Sequence, residues 1–227
     1  MGKWLHSWPE QPAVKDKASV GVTFVDVLFA LVVGLVLEPF ADPRLPTGPA
    51  VAHLLVAGVL LLTSWIGYHN SHNRPTYLIR FPNLPLLQFL LDIAMVVVYW
   101  LTASTAEIAP RSSTPSARPE TLLVVAAFTL YVSWDWVAFR IRKADNYAER
   151  PLEKAQSSRR WVTRVCLLLA LLGLLIAWGV AGVGSSSWTY AIDAYLVVVL
   201  VGSRLLKEYV TPPNALPLRT ASSSGCP

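Results

Sequence analysis

Apolar residues fall along the chain in long unbroken blocks with short polar breaks, without the i, i+3, i+4 stripe of a surface helix. Six blocks stand out, at about 21–40, 51–68, 84–103, 121–139, 162–183 and 190–206. Each is close to the roughly 20 residues with which an α-helix crosses about 30 Å of hydrocarbon. So many uninterrupted apolar windows could not all be buried in a soluble globule of this size. The pattern predicts an all-α polytopic membrane protein with six transmembrane helices, embedded in a lipid bilayer.

The polar breaks divide the chain. Residues 1–20 form an N-terminal arm with Trp4 and Trp8 at the membrane interface, 21–208 the six-helix transmembrane domain, and 209–227 a C-terminal tail with the composition of a disordered segment. The first span is too long for a signal-peptide core and no small-residue cleavage site follows it. The loop 105–120, rich in Ser and Pro, reads as a divider between two groups of three helices. In the loop 140–163, "AERPLEKAQSSRR" reads as an interfacial helix. Three spans per half fit an inverted-repeat transporter by count, although the halves share no motif.

Composition agrees: 54% of residues are hydrophobic and 15% charged, against about a quarter charged in a typical soluble domain. The formal net charge of +5 does not indicate nucleic acid, because of where the charge lies. With both termini cytoplasmic, only Arg44, Arg111 and Arg118 of the 19 Lys and Arg residues face outward. This is the positive-inside bias of a multi-pass plasma (inner) membrane protein. Cys166 lies within a span and Cys226 in the tail, which does not suggest a disulfide.

Ionisable residues inside spans are costly and mark candidate sites. Asp26, Trp65, His69, Asn70 and Asn83 fall at similar depth near the cytoplasmic ends of spans one to three, and with Phe24 beside them predict a buried polar network. His69 and His72 share a helix face but have no further ligand, so no metal site is expected from them, and no cofactor. Asp92, Asp135 and Asp193 lie in spans three, four and six. They read either as coupling acids of a secondary transporter or as partners for basic residues such as Arg140 and Arg204. No Ser/His, paired-Asp or zinc constellation suggests an enzyme.

Span one carries a further pattern. At 100° per residue, Leu31, Leu35 and Glu38 fall within about 60° of one another, with Phe24 on the same stripe and Asp26 about 140° away. One face can thus bind the protein's own bundle while the other presents two leucines and an outer carboxylate.

Phe24-Val25-Asp26 followed by "VLFALVVGLVLEP", together with "SWIGYHNSHN" closing the second span, resembles the endolysosomal potassium channel transmembrane protein 175 family, in its prokaryotic single-repeat form. Val25 stands where the family has serine and Gly34 where threonine is common, which marks a divergent member. The resemblance implies a homotetramer whose first helices line a pore for monovalent cations, potassium in particular. It places an aliphatic constriction at Leu31 and has Asp26 tie the first helix to its neighbours. Leu35 would extend such a gate, and a Glu38 ring would gather cations at its outer mouth. A secondary transporter and a non-conducting scaffold that docks a partner through loop 140–163 remain the alternatives.

Overall fold

A computed structural model describes residues 12–41, 48–71, 83–108, 116–144, 150–179 and 186–210. It is helical throughout these residues: α1 (Pro12–Ala41), α2 (Gly48–Ser71), α3 (Leu84–Ile108), α4 (Ala117–Ala144), α5 (Arg150–Gly179) and α6 (Ser186–Tyr209). All six are long and apolar enough to span a bilayer.

Local chemistry sets the helix starts. Pro49, Pro85, Pro119 and Pro151 each occupy the first turn of a helix, where proline costs no intrahelical hydrogen bond. Asn83 caps α3, its Oδ1 accepting from the Leu86 N–H at 3.0 Å. Within the spans, hydroxyls donate back to their own helix: Thr63 to Val59 O at 2.7 Å, Thr102 to Val98 O at 2.7 Å and Thr121 to Ala117 O at 2.6 Å. Polar atoms are thereby satisfied where lipid offers no partner.

The helices form one bundle. Helix α4 packs closely on both α3 and α5, and α2 on α6, while α1 packs chiefly on α2 and α3 at the edge. The α3–α4 contact overturns the expectation of two groups of three helices. The starts of α2, α4 and α6 meet at one end, called upper below. The start of α3 lies near the end of α2 at the lower end, where both approach the beginning of the apolar part of α1. A continuous core runs through the middle, with Val25, Phe29, Leu60, Tyr99, Val124, Phe128, Leu196 and Leu200 all buried.

Several boundaries differ from the sequence expectation. Helix α1 begins at Pro12, so the N-terminal arm already contributes to it. The expected interfacial helix is the first part of α5, continuous from Arg150. Helix α5 is described to Gly179, and the expected end of the fifth span near 183 lies outside the described residues. The loop 105–120 is shorter than expected, because α3 runs to Ile108 and α4 begins at Ala117. Trp4, Trp8, His72 and the tail beyond 210 lie outside the described residues.

Candidate functional sites within the bundle

Two polar clusters lie inside the bundle, one above the other along α2, α4 and α6. The upper one joins a residue from the beginning of each. His53 Nδ1 stands 2.9 Å from Asp193 Oδ2 and 3.2 Å from Glu120 Oε2, and His53 Nε2 lies 3.4 Å from the carbonyl oxygen of Ser116. His53 and Glu120 are fully buried and Asp193 is 2% exposed. Among the described residues, and apart from the 3.2 Å approach of His53 Nδ1 to Glu120 Oε2, neither oxygen of Glu120 nor Oδ1 of Asp193 has a hydrogen bond.

About three turns lower on the same helices stand Ser64, Tyr131 and Ser203. An offset of about 11 residues returns a helix to within about 20° of the same face, which stacks Ser64 below His53 and Tyr131 below Glu120. These three residues line a cavity of about 110 Å³, with room for several water molecules. Asp92, Tyr99, Asp135, Arg159, Arg160, Arg204 and Lys207 complete its polar wall. The Tyr131 hydroxyl is hydrogen-bonded to Ser64 Oγ and lies 3.0 Å from the Tyr99 hydroxyl, and the Lys207 ammonium sits 5.3 Å from the centre of the Tyr131 ring. Asp135 Oδ2 accepts a hydrogen bond from Thr163 at 2.8 Å.

A dry layer separates the clusters. Val56, Leu60, Val124, Ala127, Phe128 and Leu196 are all 0% exposed. They fill the levels between the histidine and the cavity, again on α2, α4 and α6.

The residues singled out from the sequence are distributed as follows. Asp92 and Asp135 line the same cavity, whereas Asp193 belongs to the upper cluster, so the three acids do not form one site. Arg140 and Arg204, offered as examples of basic partners for the three acids, form no ion pair with them among the described residues, although Asp135 shares its cavity with Arg159 and Lys207. Arg204 binds Glu208, with its Nη2 2.6 Å from Oε1, and Arg140 stacks on Trp136. Asp26 does meet His69, 3.1 Å from its Nε2, with Trp65 edge-on to the imidazole at 4.5 Å. The pair is 36–40% exposed rather than interior. Asn83 serves as the cap of α3, and the Asn70 side chain lies outside the described residues.

On α1, Val25, Phe29, Val32 and Val36 face the bundle. Phe24, Leu31 and Glu38 are exposed, Leu31 at 66%, while Phe24 also lies against Phe89. Leu35 departs from that stripe: it is half-buried against Val36, Ala57 and Ala103.

His53 and Glu120 were not singled out from the sequence. His53 is a lone imidazole within the apolar run of α2. Glu120 fell at the end of an apparent loop and became an intramembrane residue only because α4 starts earlier. The signal that could have found them is their shared depth with Asp193 near the start of alternate spans.

No family model, curated protein or solved structure matches the chain.

Proposed function

We propose that this chain is a membrane transport protein of the secondary-transporter class, moving a small polar or charged solute through its own interior with Asp92 and Asp135 as coupling acids. The observation that carries this reading is the lower cavity. It brings two carboxylates, four basic side chains and six hydroxyl-bearing residues into one space inside a bundle of membrane-length helices. Ionisable groups that face the interior of a membrane bundle mark substrate and ion pathways. The dry layer above it fits a closed barrier on the upper side, which alternating access requires.

A second reading is favoured by α1. Its exposed stripe of Phe24, Leu31 and Glu38 is left uncovered by the protomer, and Asp26 is tied to His69 on α2. In the homotetrameric potassium-channel reading, four such stripes line a central pore in the plasma membrane, with Leu31 as the constriction.

One assay separates the two. Full-length protein in liposomes on a solid-supported electrode is challenged with a panel of amino acids, carboxylates and monovalent cations under an imposed pH gradient. A transporter gives saturable, gradient-dependent currents that Asp92→Asn abolishes and Leu31→Asn leaves intact. A potassium current that does not saturate, and that Leu31→Asn increases, would replace the transporter with the channel.

A further inference from the structure

The upper cluster gathers two carboxyl groups around one imidazole, and its own residues balance the charge only if one carboxyl keeps a proton. Both ring nitrogens of His53 face acceptors: Nε2 the Ser116 carbonyl, Nδ1 the carboxylates of Glu120 and Asp193. A neutral imidazole whose proton is on Nε2 turns a bare lone pair toward two carboxylates. With both carboxyls ionised, an imidazolium leaves the trio at net charge −1 among fully buried groups; a proton held between Glu120 and Asp193 is the alternative to a metal as counter-charge. Buried charge of this kind is costly unless a counter-charge sits within the cluster.

We propose that His53, Glu120 and Asp193 bind one divalent transition-metal ion, zinc being the best match. One ligand atom from each of the three residues lies within 4.8 Å of the other two. Metal–ligand bonds of about 2.0–2.2 Å place neighbouring donors about 3 Å apart around an octahedral ion and about 3.3–3.6 Å apart around a tetrahedral one. The 2.9 Å and 3.2 Å separations at Nδ1 therefore need little movement to admit an ion. A dication with neutral imidazole and two carboxylates is neutral overall and gives the unpaired oxygens of Glu120 and Asp193 a partner. The Ser116 carbonyl supplies the outer contact that metal-bound histidines usually make, holding the proton on Nε2 so that Nδ1 is free to ligate. One nitrogen and two carboxylates suit zinc better than a soft cation that wants thiolate. Three protein ligands leave a fourth position, which a single enclosed water would fill. The ion would also pin α2, α4 and α6 together above the dry layer. The sequence pattern led to no expectation of a metal or cofactor anywhere in the chain, so this site departs from that expectation, and it depends on neither transport reading.

The test uses purified full-length protein in detergent, stripped with a chelator and then dialysed against zinc or cobalt. About one zinc per chain is expected after desalting, and cobalt should develop the visible absorption bands of a four- or five-coordinate site. His53→Ala and Glu120→Gln should each reduce retained zinc at least tenfold, while the double variant Asp26→Asn/His69→Ala retains it. The competing account is a proton shared within the trio. It predicts no visible cobalt bands and no more zinc on the wild type than on the triple variant His53→Ala/Glu120→Gln/Asp193→Asn, and either result overturns the proposal. If the variants fail to fold, the wild-type cobalt spectrum alone decides.

Discussion

The two polar clusters occupy the same three helices, yet they treat their charges differently. The upper one holds three ionisable side chains with almost no exposure and has hydrogen-bond donors for only part of them. The lower one spreads acids, bases and hydroxyls around a cavity that admits water. Low dielectric strengthens a satisfied polar group and penalises an unsatisfied one, whereas water within reach softens both effects. The same chemical change should therefore cost far more above the apolar layer than below it. Vertical position in the bundle, more than residue type, sets what each polar side chain contributes.

The layer itself is the place to break that contrast. Phe128 is fully buried between the clusters, with its ring edge-on to Tyr131 at 5.7 Å. Phe128→Ala should cost about 3–5 kcal/mol, through lost burial and the void left behind. It should also let water from the cavity approach Glu120. Thermal unfolding in detergent gives the first effect, and uncoupled ion leak through liposomes the second. Stability lost without leak would mean that neighbouring side chains collapse into the void and the separation survives.

His53→Ala follows. It leaves Glu120 and Asp193 facing each other with no positive partner, a defect that commonly costs 3–5 kcal/mol. In metal-free protein the two carboxylates can share a proton, which holds the loss near the lower end, about 3 kcal/mol. Unfolding midpoints compared with and without chelator measure it. A loss under about 1 kcal/mol, the scale of an exposed pair, would show that the upper cluster is wetter than its burial suggests.

The two clusters also differ in how far the sequence revealed them. The six spans were legible because hydrocarbon thickness imposes a length, and the prolines and Asn83 mark several helix starts. The meeting of Asp26 with His69 followed from depth alone, since both lie near one membrane face on adjacent helices. Depth was equally available for His53, Glu120 and Asp193, but a boundary misplaced by a few residues put Glu120 in a loop. Azimuth was the harder quantity. Apolar residues surround these helices on every side, so hydrophobic periodicity could not show that Leu35 turns toward Ala57 while Leu31 turns away. Nor could it show that Asp92 and Asp135 share a cavity that Asp193 does not reach. Ion-pair partners were least legible, because long basic side chains choose among several neighbours. Arg204 took Glu208 one turn away on its own helix, and Asp135 accepts from a threonine in the cavity it shares with Arg159 and Lys207.

The smallest expected effect sharpens the comparison most. Tyr131 links Ser64 and Tyr99 through its hydroxyl, and its ring lies beneath Lys207. Tyr131→Phe keeps the ring and the packing on Phe128 and removes one oxygen from the cavity wall. Were the site dry, the two stranded hydroxyls would each carry a desolvation penalty of about 1–3 kcal/mol. Because the cavity has room for water, solvent can take over those hydrogen bonds, and the net loss should stay near 1 kcal/mol. Ser64→Ala tests the same link from the other side. The double variant should lose less than the sum of the singles, since one hydrogen bond cannot be removed twice. A penalty for Tyr131→Phe as large as that for His53→Ala would mean that the lower cavity is sealed. The contrast between a dry upper cluster and a wet lower one would then fall, and with it the solute-site reading of the cavity.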